Sequence, residues 1–187
     1  LMQALGEGLI TEEKLTEAAE RLFTTRFLLG LFDKNCEYNQ IPYEETDSPA
    51  HNEVALEAAR RSLVLLKNDG AVLPIRGNRK VAFIGRFAEK PRYQGGGSSH
   101  ITVSEELSAL EAVRSVCPVT YAPAFSLEED VVDEALQAEA VEAAKAADVA
   151  VLFLGLPEFI ESEGFDRKDM ALPRCQLELV KRILQVQ

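Results

Sequence analysis

The chain has 187 residues, 47% of them hydrophobic, enough to bury a sizeable core in one or two domains. Its 20 basic and 31 acidic residues give a formal charge of −11, which argues against nucleic acid as a partner because phosphate binding needs a basic footprint. No apolar run reaches the roughly 18 residues of a membrane span, so no membrane partner is expected.

The cysteines, Cys36, Cys117 and Cys175, are odd in number and scattered, with no CxxC or Cys/His cluster. Neither a metal nor another cofactor is expected. Free thiols and the absence of an Asn-x-Ser/Thr acceptor favour a cytoplasmic location. Leu1 opens inside an apolar stretch, and Gln187 closes inside the amphipathic run PRCQLELVKRILQVQ. We therefore expect an internal segment of a longer protein.

In chain order, Thr11 is a plausible N-cap for a helix with Glu12 and Glu13 in its first turn. Leu15, Ala18, Ala19, Leu22 and Phe23 form an apolar stripe on it, and Gly30 is placed to end it. This stripe needs a partner, and self-association through it is expected if none is present. Residues 31–48 have no period and read as a linker. Ser48-Pro49 starts a second helix that runs into LVLLKNDG, an expected short strand closed by an Asp69-Gly70 turn.

A regular alternation follows. KVAFIG (80–85) reads as a strand, then a Gly-rich loop, a helix over about 104–114, a strand near 119–122, a helix over about 131–147, the strand VAVLFLG (149–155), and a helix from Pro173. Strands alternating with helices predict an α/β fold with a mostly parallel sheet and helices on both faces. Ligands in such sheets bind at loops leaving the carboxyl ends of strands. Two loops qualify here: RFAEKPRYQGGGSSH and LPEFIESEGFDRKDMALP.

GGGSS (95–99) lies too far beyond Gly85 for a dinucleotide fingerprint, and no Gly-Lys-Ser/Thr follows it. It is either a tight or flexible turn, or a loop whose missing side chains let a bulky group come close. The other loop packs five carboxylates, Glu158, Glu161, Glu163, Asp166 and Asp169, against Arg167 and Lys168. A solvated loop would show the same pattern. A general acid needs burial or a neighbouring charge to raise its pKa. Glu163 has the most suitable context, beside Gly164, with Asp166 and Arg167 placed to pair and hold the loop. His51 and His100 have no visible partner and read as structural or exposed.

Four stretches, in order, resemble glycoside hydrolase family 3, the family of β-glucosidases and β-xylosidases: AAERLFTTRFLLGLFD, ARRSLVLLKNDGAVLPI, IGRFAEKPRYQGGGSS and ESEGFDRKDMALPRCQLELV. The resemblance implies that residues 1–30 are the last helix of a TIM-type barrel, 31–48 a linker, and 49–187 part of an α/β sandwich domain. It also implies a retaining exo-β-glycosidase acting on β-linked oligosaccharides or aryl and alkyl glycosides, with Glu163 as acid/base. Gly164, Asp166 and Arg167 become loop support, while Arg92, Tyr93 and Gln94 fall near the leaving-group subsite. The nucleophile, an aspartate in the family, would lie on the barrel, outside this chain, and the segment alone would be inactive. A hexosaminidase-type relative is disfavoured by the Glu-Gly-x-Asp-Arg loop. The alternative class is a non-catalytic α/β module that binds carbohydrate or protein.

Overall fold

Local capping chemistry sets where the helices begin. Thr11 Oγ1 accepts from the Lys14 amide at 3.3 Å and starts α2 (Glu12–Leu28), after a short α1 (Met2–Gly6). Ser48 Oγ accepts from the His51 amide at 3.4 Å and starts α3 (Pro49–Ser62). A computed structural model describes residues 1–164 and 166–187, so Phe165, inside the quoted acidic loop, lies outside the described residues. The chain divides into two units, Leu1–Val64 and Leu65–Gln187. By contacts, α3 belongs to the first unit, although the sequence grouped it with the second region.

In the first unit, Phe27 and Phe23 close on Phe32 at ring-centroid distances of 4.5 and 6.0 Å, folding the exit of α2 back on its last turns. Much of the expected stripe stays uncovered, with Leu22 55% and Phe23 43% exposed.

The expected strand in LVLLKNDG does not form. Leu63 to Leu66 are exposed, and no strand partner faces them among the described residues. Apolar, β-branched composition favours a strand only where a neighbouring strand can take its hydrogen bonds. The turn beyond it does form, held by the Asn68 side chain, which bonds the Leu73 carbonyl at 2.8 Å and the Leu73 amide at 3.1 Å.

The second unit is built on three parallel strands, β1 (Val81–Ile84), β2 (Val119–Ala122) and β3 (Val149–Leu152), in the order β2-β1-β3. Ile84 sits opposite Ala122 on one side and Leu152 on the other. The helices are α4 (Ala109–Arg114), α5 (Glu134–Lys145) and α6 (Arg174–Ile183). The β1-to-β2 and β2-to-β3 crossovers run in opposite directions along the sheet. If both are right-handed, α4 and α5 lie on opposite faces.

The α4 helix starts later than the sequence period suggests. Ser108 and Glu111 form a capping box there, each side chain bonding the other residue's amide.

On the α5 face, Ala82, Ile84, Ala122, Ala140, Ala144, Leu179 and Ile183 form the core. Small alanines on α5 bring it close to the sheet, and α6 packs on α5. Three polar groups tie α6 in place. Gln137 Nε2 donates to the Cys175 carbonyl at 2.8 Å, Arg182 makes a two-pronged pair with Glu134 at 2.7 and 3.0 Å, and Asp130 accepts from the Arg174 and Cys175 amides at 2.8 Å each. Pro173 cannot cap this helix, so an acid 44 residues earlier in the chain supplies the acceptor. Burial, reinforced by Asp130, pushes the Cys175 thiol up to about 12, which keeps it inert.

Gln176, on the first turn of α6 and 1% exposed, accepts from the Gly155 amide at 3.0 Å and donates to the Gly155 carbonyl at 2.8 Å. It thus stands in for a further strand where the chain leaves β3. Replacing Gln176 with Leu leaves both Gly155 backbone groups without partners. We expect Gln176→Leu to lower unfolding free energy by about 2–4 kcal/mol in urea titration. A change at the half-exposed Leu177, such as Leu177→Ala, should lower it by less than about 1 kcal/mol.

Candidate active site

Because β1 and β3 are neighbours, the chains leaving their carboxyl ends emerge side by side. One is the Gly-rich loop, with a 3₁₀ turn at Gly97–Ser99; the other is the acidic loop. If α4 and α5 cover opposite faces, the chain departs toward opposite faces after β1 and β3. That geometry opens a crevice between two such loops.

The two loops are packed together, and the glycines are the reason they can be. A Cβ on Gly96 would overlap the Ser162 hydroxyl and lie 3.0 Å from Glu158 Cγ. A Cβ on Gly97 (φ +79°) would lie 2.7 Å from Glu163 Cβ and 2.8 Å from Glu163 Oε2. The group that approaches the bare backbone is therefore the acidic loop of the same chain. Glu163 Oε2 accepts from the Ser98 amide at 2.6 Å and also from the Ser98 hydroxyl.

Glu163 is exposed, and its carboxyl is held below its ordinary value of 4.5, chiefly by the Ser98 hydroxyl and next by the Ser98 amide. The expectation of a carboxyl pushed up by burial or a neighbouring charge is not met in this chain. With water on one side and two donors on the other, the ionised form is favoured.

Arg92, at the approach to the Gly-rich loop, turns its guanidinium to the acidic loop. Nη1 donates to the Leu156 carbonyl and, at 3.1 Å, to Glu161 Oε2; Nη2 donates to the Glu161 carbonyl at 2.6 Å. Tyr93 and Gln94 line a cleft of about 640 Å³ together with Phe87, Phe153 and Gly155. Gln94 Oε1 also accepts from the Ile101 amide at 2.8 Å. Glu163 is not among the lining residues of that cleft.

Asp166 and Arg167, expected to pair, form no ion pair among the described residues. Arg167 Nη2 instead approaches the Ala171 carbonyl at 3.5 Å, and both residues line a separate pocket beside Asp130 and Arg174. Gly164 has positive φ, +97°, at the bend after Glu163. His100 has a neighbour that the sequence did not suggest, its Nε2 lying 3.5 Å from Glu158 Oε1. Among the described residues no group of three or more His, Cys, Asp or Glu is arranged to hold a metal ion.

Sequence reasoning missed Ser98 and the Arg92–Glu161 link. Each joins residues more than 60 positions apart, so no local pattern announces it. The available signal was the run of glycines, which implied a close approach without naming the visitor.

A parallel α/β unit with a carboxylate on the loop after β3 defines the class, and comparison with known proteins supplies the family. Residues 63–187 match the glycosyl hydrolase family 3 C-terminal domain, and the chain belongs to glycoside hydrolase family 3. An exo-α-(1→6)-L-arabinopyranosidase from Bifidobacterium longum is 42% identical over 194 residues, covering 98% of this chain and 25% of its own. The thermostable β-glucosidase B of Acetivibrio thermocellus is 39% identical, with 100% and 24% covered. The crystal structure of a Bifidobacterium adolescentis family 3 β-glucosidase superimposes with a TM-score of 0.76 at 44% identity, over 99% of this chain and 26% of that one. The chain thus spans about a quarter of the length of these relatives.

The Ser98 contact has a pH signature in stability. A carboxyl depressed below 4.5 in the folded state contributes stability in full above that pH and loses it as pH falls through the folded value. Ser98→Ala, which loses the hydroxyl but keeps the amide, should therefore be less stable than the parent chain at about pH 7, and the gap should narrow as pH falls through the Glu163 titration. Urea unfolding across a series of pH values measures it, and a gap of constant size throughout would contradict this account.

Proposed function

We propose that this chain forms part of a retaining exo-β-glycosidase and supplies Glu163 as its acid/base. The observation that supports the reading best is the seating of the Glu163 carboxylate. It is carried on the loop after β3 and held by Ser98 of the loop after β1, and these loops leave the carboxyl ends of neighbouring strands, the end of such a sheet where ligands bind. Its family membership supports glycoside hydrolysis as the reaction.

In a retaining cycle, a nucleophilic carboxylate attacks the anomeric carbon while the acid/base protonates the departing oxygen. The same residue then takes a proton from the water that frees the sugar. The two carboxyl groups must lie about 5–5.5 Å apart. We assign the nucleophile and most of the sugar-holding groups to a barrel outside these residues. Tyr93 and Gln94, which line the cleft, are assigned to the leaving-group side, where a β-linked sugar, alkyl or aryl group departs. Gly164 sets the bend after Glu163, and Asp166 and Arg167 support the loop from its far side. Glu163 must gain a proton for the first step, and a second carboxylate brought near it would supply the like charge that raises its pKa.

Two outcomes follow. The 187-residue chain alone should hydrolyse no aryl β-glycoside, since nucleophile and sugar contacts are absent; turnover by a contamination-free preparation would overturn the assignment. In the longer enzyme, Glu163→Gln should lower kcat/KM for an alkyl β-glycoside by about 10²–10⁴-fold. A dinitrophenyl glycoside, whose leaving group departs unaided, should lose far less in its first step. The glycosyl-enzyme should accumulate, and azide should speed its breakdown. Unchanged alkyl-glycoside hydrolysis would instead favour a non-catalytic module.

A further inference from the structure

Arg92 is a cation that the Gly-rich loop places against the loop of Glu163 at two separated points. Leu156 lies just beyond Gly155, where Gln176 anchors the chain, and Glu161 lies just before Ser162 and Glu163. Between them Pro157 begins a tight turn, its carbonyl accepting from Ile160 at 3.0 Å and Glu161 at 3.2 Å. One planar guanidinium therefore closes this turn at both ends through the Leu156 and Glu161 carbonyls, and it also reaches the Glu161 carboxylate. The Arg92 side chain is 21% exposed, whereas that of Glu161 is 52% exposed. An ion pair with so open a carboxylate contributes little to stability, so the geometric hold on the two carbonyls is the more consequential part.

The turn determines where the chain stands when it reaches Glu163. Ser98 meets Oε2 from the other side, on the same Gly-rich loop that carries Arg92. We propose that Arg92 is a positioning residue for Glu163: by clamping the turn between Leu156 and Glu161, it sets the carboxylate on Ser98. Its importance to catalysis rests on the reading of Glu163 as acid/base; the clamp itself does not.

A carboxyl-labelled chain titrated by NMR tests the clamp directly, because Glu163 reports whether it is seated on Ser98. Ser98→Ala removes the hydroxyl and keeps the backbone amide, so it should move the Glu163 titration upward and sets the least shift expected of an unseated carboxylate. Arg92→Lys keeps the positive charge but cannot span two carbonyls as the fork does. It should move Glu163 upward by at least as much as Ser98→Ala does, because both Ser98 donors are then lost, and Arg92→Met should do the same. All other titratable groups on the two loops, Glu158, Glu161, Asp166 and His100 among them, keep their identity in all three variants.

If Arg92→Lys leaves Glu163 at its parent titration while Ser98→Ala moves it, Arg92 does not position the carboxylate. If Ser98→Ala moves nothing, there is no seat to set, and the proposal falls. If neither Arg92 variant folds, the residue is structural and the proposal falls as well. In the longer enzyme, Arg92→Lys should depress alkyl-glycoside hydrolysis by up to about 10²-fold, with a smaller loss for the dinitrophenyl glycoside. A normal clamp titration combined with full alkyl-glycoside activity in Glu163→Gln would remove the acid/base reading and leave the clamp standing.

Discussion

The parallel pairing of β1 with β3 is the constraint on which the site depends. Had the sheet followed sequence order, with β2 in the centre, the Gly-rich loop and the acidic loop would leave from opposite edges. The order β2-β1-β3 puts Ile84 beside Leu152 and lets two segments more than 60 residues apart in sequence meet at one end of the sheet. The cost is one long crossover, which α5 spans with a small-residue face of Ala140, Ala143 and Ala144. The α6 helix then fixes the exit of β3 through Gln176.

Much of this architecture was legible because it is local. The strand-helix alternation, the Thr11 and Ser48 caps, the glycine-rich loop after β1 and the turn at Asp69-Gly70 are each written in a few neighbouring residues. What was not legible depends on partners. The run LVLLK has the composition of a strand and no strand to pair with among the described residues. The Asp166–Arg167 pair is suggested by adjacency, yet Arg167 turns to the Ala171 carbonyl, and the arginine that grips this loop is Arg92, 69 residues before Glu161. The late start of α4 is an intermediate case. Its capping box is visible in the sequence once Ser108 and Glu111 are read together, but Ser104 offered a competing start.

The chemistry of Glu163 shows a similar division between what one segment encodes and what must be assembled. An acid/base residue has to be protonated in one half of a retaining cycle and ionised in the other. The contacts within this chain favour only the ionised half: a hydroxyl and an amide donate to one oxygen, and water reaches the other side. A donor pair of this kind suits a base waiting to activate water. It opposes the proton that departure of a sugar requires.

On the proposed reading, one feature of the seat would let it serve both halves. The Ser98 hydroxyl is a rotor that can accept as well as donate, so a protonated Glu163 can keep a hydrogen bond to it by reversing the sense of that bond. The Ser98 amide cannot reverse, and its bond must lengthen or weaken when Glu163 carries a proton. The balance between the two states therefore depends on a neighbouring negative charge, which makes ionisation of Glu163 less favourable, as when two carboxylates share a site. A nucleophile a few ångströms away would supply that charge only until it forms the glycosyl bond. With that charge consumed, the Ser98 donors would again dominate, and Glu163 would be the ionised base that the proposed second step needs. If Glu163 is the acid/base proposed above, the seat on Ser98 suits the glycosyl-enzyme stage of the cycle, and an opposing carboxylate would suit the stage before it.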